Sequence, residues 1–93
     1  MVKGKKAVVT GASRGIGAEI AKKLAQNGAD VAIIFYGDEE ANALKVKTEI
    51  EENFKTKAEI YACDVSDSEE CKTVTKKIIS DFNGIDILVN DVH

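Results

Sequence analysis

The sequence contains no proline, so it offers no strong internal break at which one folding unit would give way to another. A basic excess is also missing. The 13 Lys and Arg stand against 16 Asp and Glu, a formal charge of -3. Without the basic stripe that phosphate neutralisation needs, a dedicated nucleic-acid binder is not expected. No stretch approaches the roughly 18 to 20 consecutive apolar residues of a membrane span. The apolar run after the basic start MVKGKK is too short for a secretory signal. A cytoplasmic protein is therefore expected, with no membrane partner. Cysteine is scarce: Cys63 and Cys71 have no partnering His or Cys nearby, which argues against a zinc site. Cys63 lies in the apolar run EIYACDV and Cys71 on an apolar helical stripe, so both read as reduced thiols in or near the core. The single histidine, His93, is the final residue and receives no role.

What is present is ordinary for a folded chain. Apolar residues make up 44% and charged residues 31%, a balance that excludes a disordered segment. The 93 residues suffice for one domain, 1–93. Four short apolar runs, at 7–10, 31–35, 58–63 and 85–89, lack strict polar alternation. Strands covered on both faces by helices have this character. Between them lie three stretches of helical spacing. Ile16, Ile20 and Leu24 form the stripe of the first, which Asn27-Gly28 is placed to stop. Ala43, Val46, Ile50 and Phe54 form that of the second, with Glu39, Glu40, Glu51 and Glu52 expected to face water. In the third, Ser66 and Glu69 fit a capping box ahead of Cys71, Val74, Ile78 and Phe82, and Asn83-Gly84 follows as a stop. The order β-α-β-α-β-α-β predicts an α/β fold, a parallel sheet with helices on both faces.

The first turn reads VVTGASRGIG. Gly11 allows a sharp turn off the strand, Gly15 lets backbone approach a pyrophosphate, and Gly17 allows the helix to pack tightly on the sheet. The helix N-terminus beyond them would turn free N–H groups and positive dipole toward phosphate. The spacing is G-x-x-x-G-x-G. It differs from G-x-G-x-x-G and from the G-x-x-x-x-G-K-[ST] loop of NTPases.

TGASRGIG at 10–17, CDV at 63–65 and DILVN at 86–90 resemble the short-chain dehydrogenase/reductase family, and within it the 3-oxoacyl-[acyl-carrier-protein] reductases. The resemblance covers the chain up to Asn90 in matching order and spacing. It implies a Rossmann-like fold with strand order 3-2-1-4. It further implies that Gly11, Ser13, Arg14, Gly15, Ile16 and Gly17 hold a cofactor pyrophosphate, that Asp64 and Val65 lie beside the adenine, and that Asn90 lies near the cofactor. On the residues alone, Asp64 also suits the end of a strand and Asn90 a loop. The activity implied is NADPH-dependent reduction of a 3-oxoacyl thioester in fatty acid synthesis.

Charge separates the two nicotinamide cofactors. A carboxylate at the end of the second strand would hold a ribose 2′-OH, and that position is expected to fall on Phe35, which is uncharged. Arg14 is available to a 2′-phosphate, so NADP(H) is expected over NAD(H), against the nearby Asp38. The Tyr of a Y-x-x-x-K pair, assisted by a Ser, is the family's proton donor. Here Tyr36 is followed four residues later by Glu40, and Tyr61 by Val65, so no catalytic residue is assigned. Where the family pattern is N-N-A-G, this chain has Asn90-Asp91-Val92-His93. The expectation is a nucleotide-binding portion cut after the fourth strand, binding cofactor weakly and not catalytic alone. The alternative is a non-enzymatic module that forms a homodimer through the edge of that strand.

Overall fold

The computed structural model describes residues 2–90. Along them lie β1 (Lys6–Thr10), α1 (Gly15–Gln26), β2 (Asp30–Phe35), α2 (Glu40–Phe54), β3 (Ala58–Ala62), α3 (Ser68–Phe82) and β4 (Ile87–Asn90). The strands form one parallel sheet in the order β3-β2-β1-β4. This is the Rossmann-like α/β arrangement that the alternating pattern and the resemblance implied. Thr10 stands level with Ile34 of β2 and Asn90 of β4, while Phe35 stands level with Ala62 of β3. All four strands therefore end at one edge of the sheet, and the connections that follow β1 and β3 leave from that edge.

Two apolar layers account for the missing alternation. On one face, Ala7, Val9, Val31, Ile33 and Phe35 pack with α1 and α2. On the other, Val8, Ala32 and Ile34 pack with Ile78 and Phe82 of α3. Successive residues of β1 and β2 are thus apolar because both faces are covered. Helix α2 buries Ala43, Val46 and Ile50 as its spacing predicts. Among the described residues, no helix is long and apolar enough to cross a membrane.

Helix α1 departs from its expected face. Its buried residues are Gly17, Ala18, Ala21 and Ala25, whereas Ile16 is 63% exposed. Ile20 and Leu24 only flank the core. Small side chains bring the helix backbone close to the sheet, and the large stripe is left at the margin. Gly28 ends the helix at φ +99°, where an added Cβ would come within 2.9 Å of the Lys3 Cα, so both conformation and space require glycine. Helix α3 is also corrected at its start. Asp67, not Ser66, is the cap, accepting from the N–H groups of Glu69 and Glu70 at 3.1 and 3.2 Å. Strand four begins at Ile87, two residues later than its apolar run. Asp86 anchors it by exchanging bonds with the Lys6 backbone.

Enlarging the close-packed face of α1 should be costly. Ala21→Leu is expected to destabilise the fold by about 1–3 kcal/mol through overpacking. Ile16→Ala, on the exposed side, should stay within about 0.5 kcal/mol. Urea denaturation midpoints measure both. Equal losses would show that the small-residue face does not control the seating of α1.

Candidate functional site

The connection from β1 to α1 crosses the edge where the strands end. Its first residues are held from below. The Ala12 N–H donates to the Ile34 carbonyl at 3.2 Å, and Ala12 and Ser13 are both buried. Arg14, Gly15 and Ile16 then emerge into solvent, and Gly17 returns to the sheet. Arg14 occupies the N-cap position in an extended conformation and makes no side-chain cap bond. The first turn of α1 carries no acidic residue. The opening N–H groups of a helix lack intrahelical acceptors, so this end offers donors and positive dipole. Gly15, at φ +65°, would direct a Cβ into space with no heavy atom within 4 Å. The positive φ favours glycine there, and the open space leaves the backbone of this loop, the cradle, accessible ahead of the helix.

Glu39, expected to face water, instead turns back to this loop. Its Oε1 accepts from Ser13 Oγ at 3.1 Å and from Asn42 Nδ2 at 3.1 Å, and lies 3.4 Å from Arg14 Nε. The bonds from Asn42 and Ser13, and then the charge of Arg14, hold its carboxyl below the ordinary value, against the opposing effect of burial. The Arg14 side chain is still 77% exposed. Sequence spacing held no sign of this cluster, because Ser13 and Glu39 are 26 residues apart and meet only when β1 and β2 pair.

Beside Thr10, β1, β2, β4 and the segment just beyond β3 frame a cleft of about 260 Å³ against α3. Val65 and Asn90 both line it, together with Thr10, Cys71 and Leu88. The Thr10 hydroxyl donates to Asn90 Oδ1 at 3.0 Å, which orients the amide. Asp64 follows directly on Cys63 beyond β3. Its Oδ1 accepts from the Ser66 hydroxyl at 2.6 Å and from the Ser66 N–H at 3.0 Å, and these bonds keep the carboxyl below its ordinary value. The expected Ser66–Glu69 capping box is therefore replaced by a turn that fixes Asp64. The structure thus gathers Val65 and Asn90 at one cleft and Gly11, Ser13, Arg14, Gly15, Ile16 and Gly17 at the neighbouring loop.

Phe35 is the last residue of β2, as expected, and is 7% exposed, packed with the core on the α1–α2 face. Tyr36, 67% exposed, is the next residue beyond β2 and is likewise uncharged. Asp91, Val92 and His93, where the sequence departs from the family pattern, lie outside the described residues.

Residues 5–92 match the model of the family described as short chain dehydrogenase. The chain is 39% identical over 89 residues to the 3-oxoacyl-[acyl-carrier-protein] reductase FabG of Staphylococcus aureus strain Mu50, covering 94% of this chain and 35% of that protein. It is 37% identical over 91 residues to the bovine (Bos taurus) 15-hydroxyprostaglandin dehydrogenase [NAD(+)], covering 97% of this chain and 34% of that one. Among solved structures, a short chain dehydrogenase from Burkholderia cenocepacia J2315 in complex with NADP superposes with a TM-score of 0.91 at 41% identity, covering 98% of this chain and 36% of its own. The chain thus spans about a third of the length of each of these proteins.

The depressed carboxyl of Glu39 sets a pH dependence. A folded-state pKa below the unfolded value means that its contribution is complete above the ordinary value of 4.5 and fades as pH falls through the depressed value. Wild type should exceed Glu39→Gln in stability near neutral pH, with the gap closing on acidification below about pH 4.5. Urea unfolding across that range measures it. A gap independent of pH would mean that the charge of Glu39 contributes nothing.

Proposed function

The chain belongs to the short chain dehydrogenase family, and from that premise we propose that these residues hold the adenosine and pyrophosphate portion of NADP(H). The observation that carries this reading is the open N-terminus of α1 after Gly15, at the end of the sheet where Val65 and Asn90 line a cleft and Asp64 follows β3. In the proposed arrangement the pyrophosphate lies against the loop from Gly11 to Gly17. Ser13 and Ile16 shape that loop, and Asp64 and Val65 flank the adenine. Asn90, held by Thr10, lies where the ribose passes toward the nicotinamide.

Two features support NADP(H) over NAD(H). The residue that emerges after β2 is Tyr36, which offers no carboxylate to a ribose 2′-OH and no repulsion to a 2′-phosphate. Arg14 is exposed, with planar donors suited to phosphate. Glu39 works against this by engaging Nε of Arg14, so the affinity is modest. The bound nicotinamide supplies the hydride in the proposed activity, reduction of a 3-oxoacyl thioester. The 93 residues contribute binding and orientation. They hold no Tyr with a Lys four residues on, and we assign them no proton donor and no turnover alone. Cys63 and Cys71 are free thiols, which suits a reducing cytoplasm.

Calorimetric titration with NADPH and NADH tests the reading. NADPH should bind more tightly, and Arg14→Ala should weaken NADPH on the order of tenfold while leaving NADH nearly unchanged. Absence of binding for both would overturn it. Turnover of an acyl thioester above the buffer rate, followed by nicotinamide absorbance, would overturn the assignment of binding without catalysis.

A second reading rests on β4. Among the described residues it pairs only with β1, and its Leu88 is 68% exposed, as an edge open to strand addition would be. In this reading a second copy pairs with β4 in a two-fold homodimer. Light scattering over a concentration series should then report dimer. A monodisperse monomer at high concentration removes it.

A further inference from the structure

Two thiols unused by the proposed function stand at the cleft wall. Cys63, just beyond β3, is buried, and Cys71, in the first turn of α3, is partly exposed. Their Sγ atoms are 3.8 Å apart. Backbone bonds hold both positions. The Cys63 N–H donates to the Phe35 carbonyl and the Cys71 N–H to the Asp67 carbonyl, at 2.9 and 3.0 Å. Between them, the Asp64 N–H donates to Glu70 Oε1 at 3.0 Å and the Asp67 N–H to the Asp64 carbonyl at 2.9 Å. The sulfurs therefore face each other across a turn that is already closed. A disulfide of about 2.05 Å needs less than about 2 Å of further approach between the sulfurs.

We propose that Cys63 and Cys71 are an oxidation site that takes a low-molecular-weight disulfide as oxidant and closes the turn bearing Asp64 and Val65. Cys71, the more accessible, reacts first. Its thiolate attacks one sulfur of the oxidant, the oxidant S–S bond breaks, and one small thiolate leaves. The Cys63 thiolate then attacks Cys71 Sγ, the mixed disulfide breaks, and the second small thiolate leaves. Two protein thiols are oxidised, one external disulfide is reduced to two thiols, and the two protein protons end on the departing thiolates. Burial, followed by the bond to Cys71, pushes the Cys63 thiol up to about 11, which slows its ionisation, so the second step is carried by the nearness of the two sulfurs. Cys71 Sγ also lies 3.5 Å from the Val65 carbonyl and 3.8 Å from that of Asp64, contacts in which its S–H is a donor. Oxidation removes that donor, so the new bond reshapes the segment that carries Asp64 and Val65. In a reducing compartment such a bond is transient, made under oxidant load and reversed afterwards.

The test needs no nucleotide, so it succeeds or fails apart from the proposed function. The reduced 93-residue chain is incubated with oxidised glutathione, quenched with iodoacetamide and weighed without reductant. The expected product is a monomer lighter by two hydrogens and closed to alkylation. Cys63→Ser should stop at a stable glutathione adduct on Cys71, and Cys71→Ser should gain little adduct. Wild type in urea should lose at least about tenfold in ring closure relative to glutathione adduct, because folding brings the sulfurs together; this control does not depend on any variant folding. Wild type that keeps two alkylatable thiols, halts at a mixed disulfide, links chains together, or closes equally well in urea would overturn the proposal.

Discussion

Seating α1 on the sheet through side chains no larger than alanine is the constraint on which the site depends. Gly17, Ala18, Ala21 and Ala25 bring the helix axis close to β1 and β2, and that closeness aims its first turn at the edge where the strands end. A bulkier face would lift the helix, and the open N–H groups would no longer lie over the Gly11–Gly17 connection. The same packing leaves Ile16 exposed beside the cradle, at the start of the helix rather than in its core. A helix dipole attracts an anion over a short range only, so position and charge are set by one packing decision.

The parts of this arrangement that could be read from the sequence are those governed by local rules. Runs such as AVV and VAIIF are apolar at every position, and this revealed strands covered on both sides. The Asn27-Gly28 and Asn83-Gly84 pairs marked helix ends, and the structure has Asn83 and both glycines at positive φ. The errors came where several residues competed for one role. Ile16, Ile20 and Leu24 have the right spacing for a buried stripe, yet small residues offset by one position pack closer and win the interface. Ser66 and Asp67 both suit a cap, and Asp67 takes it because Ser66 is bonded to Asp64. Glu39 could not have been placed by any local rule, since its partners Ser13 and Arg14 reach it only through the pairing of β1 with β2.

The cradle is nearly neutral in its immediate charges. Glu39 partly offsets the charge of Arg14, so under the proposed function backbone donors, which no titration alters, share the attraction for an anion with the arginine. A protein of net charge -3 has little long-range field with which to draw in a phosphate, so under the proposed function recognition rests on short-range geometry. The bonds that fix Ser13, Asp64 and Asn90 each remove a side-chain freedom, which under the proposed function would ready the site before a ligand arrives.

The strand order has a further consequence in time. Among the described strands β1 comes first in the chain and lies between β2 and β4, yet the bond from Lys6 to Asp86 spans 80 residues. During synthesis, β2 and β3 can pair in succession as they appear, while the other side of β1 waits. Closing so long a loop carries a conformational cost that no local contact offsets. Among the described strands, β1 is thus the one that waits longest for its second neighbour, and its β4-facing side stays unpaired until β4 arrives.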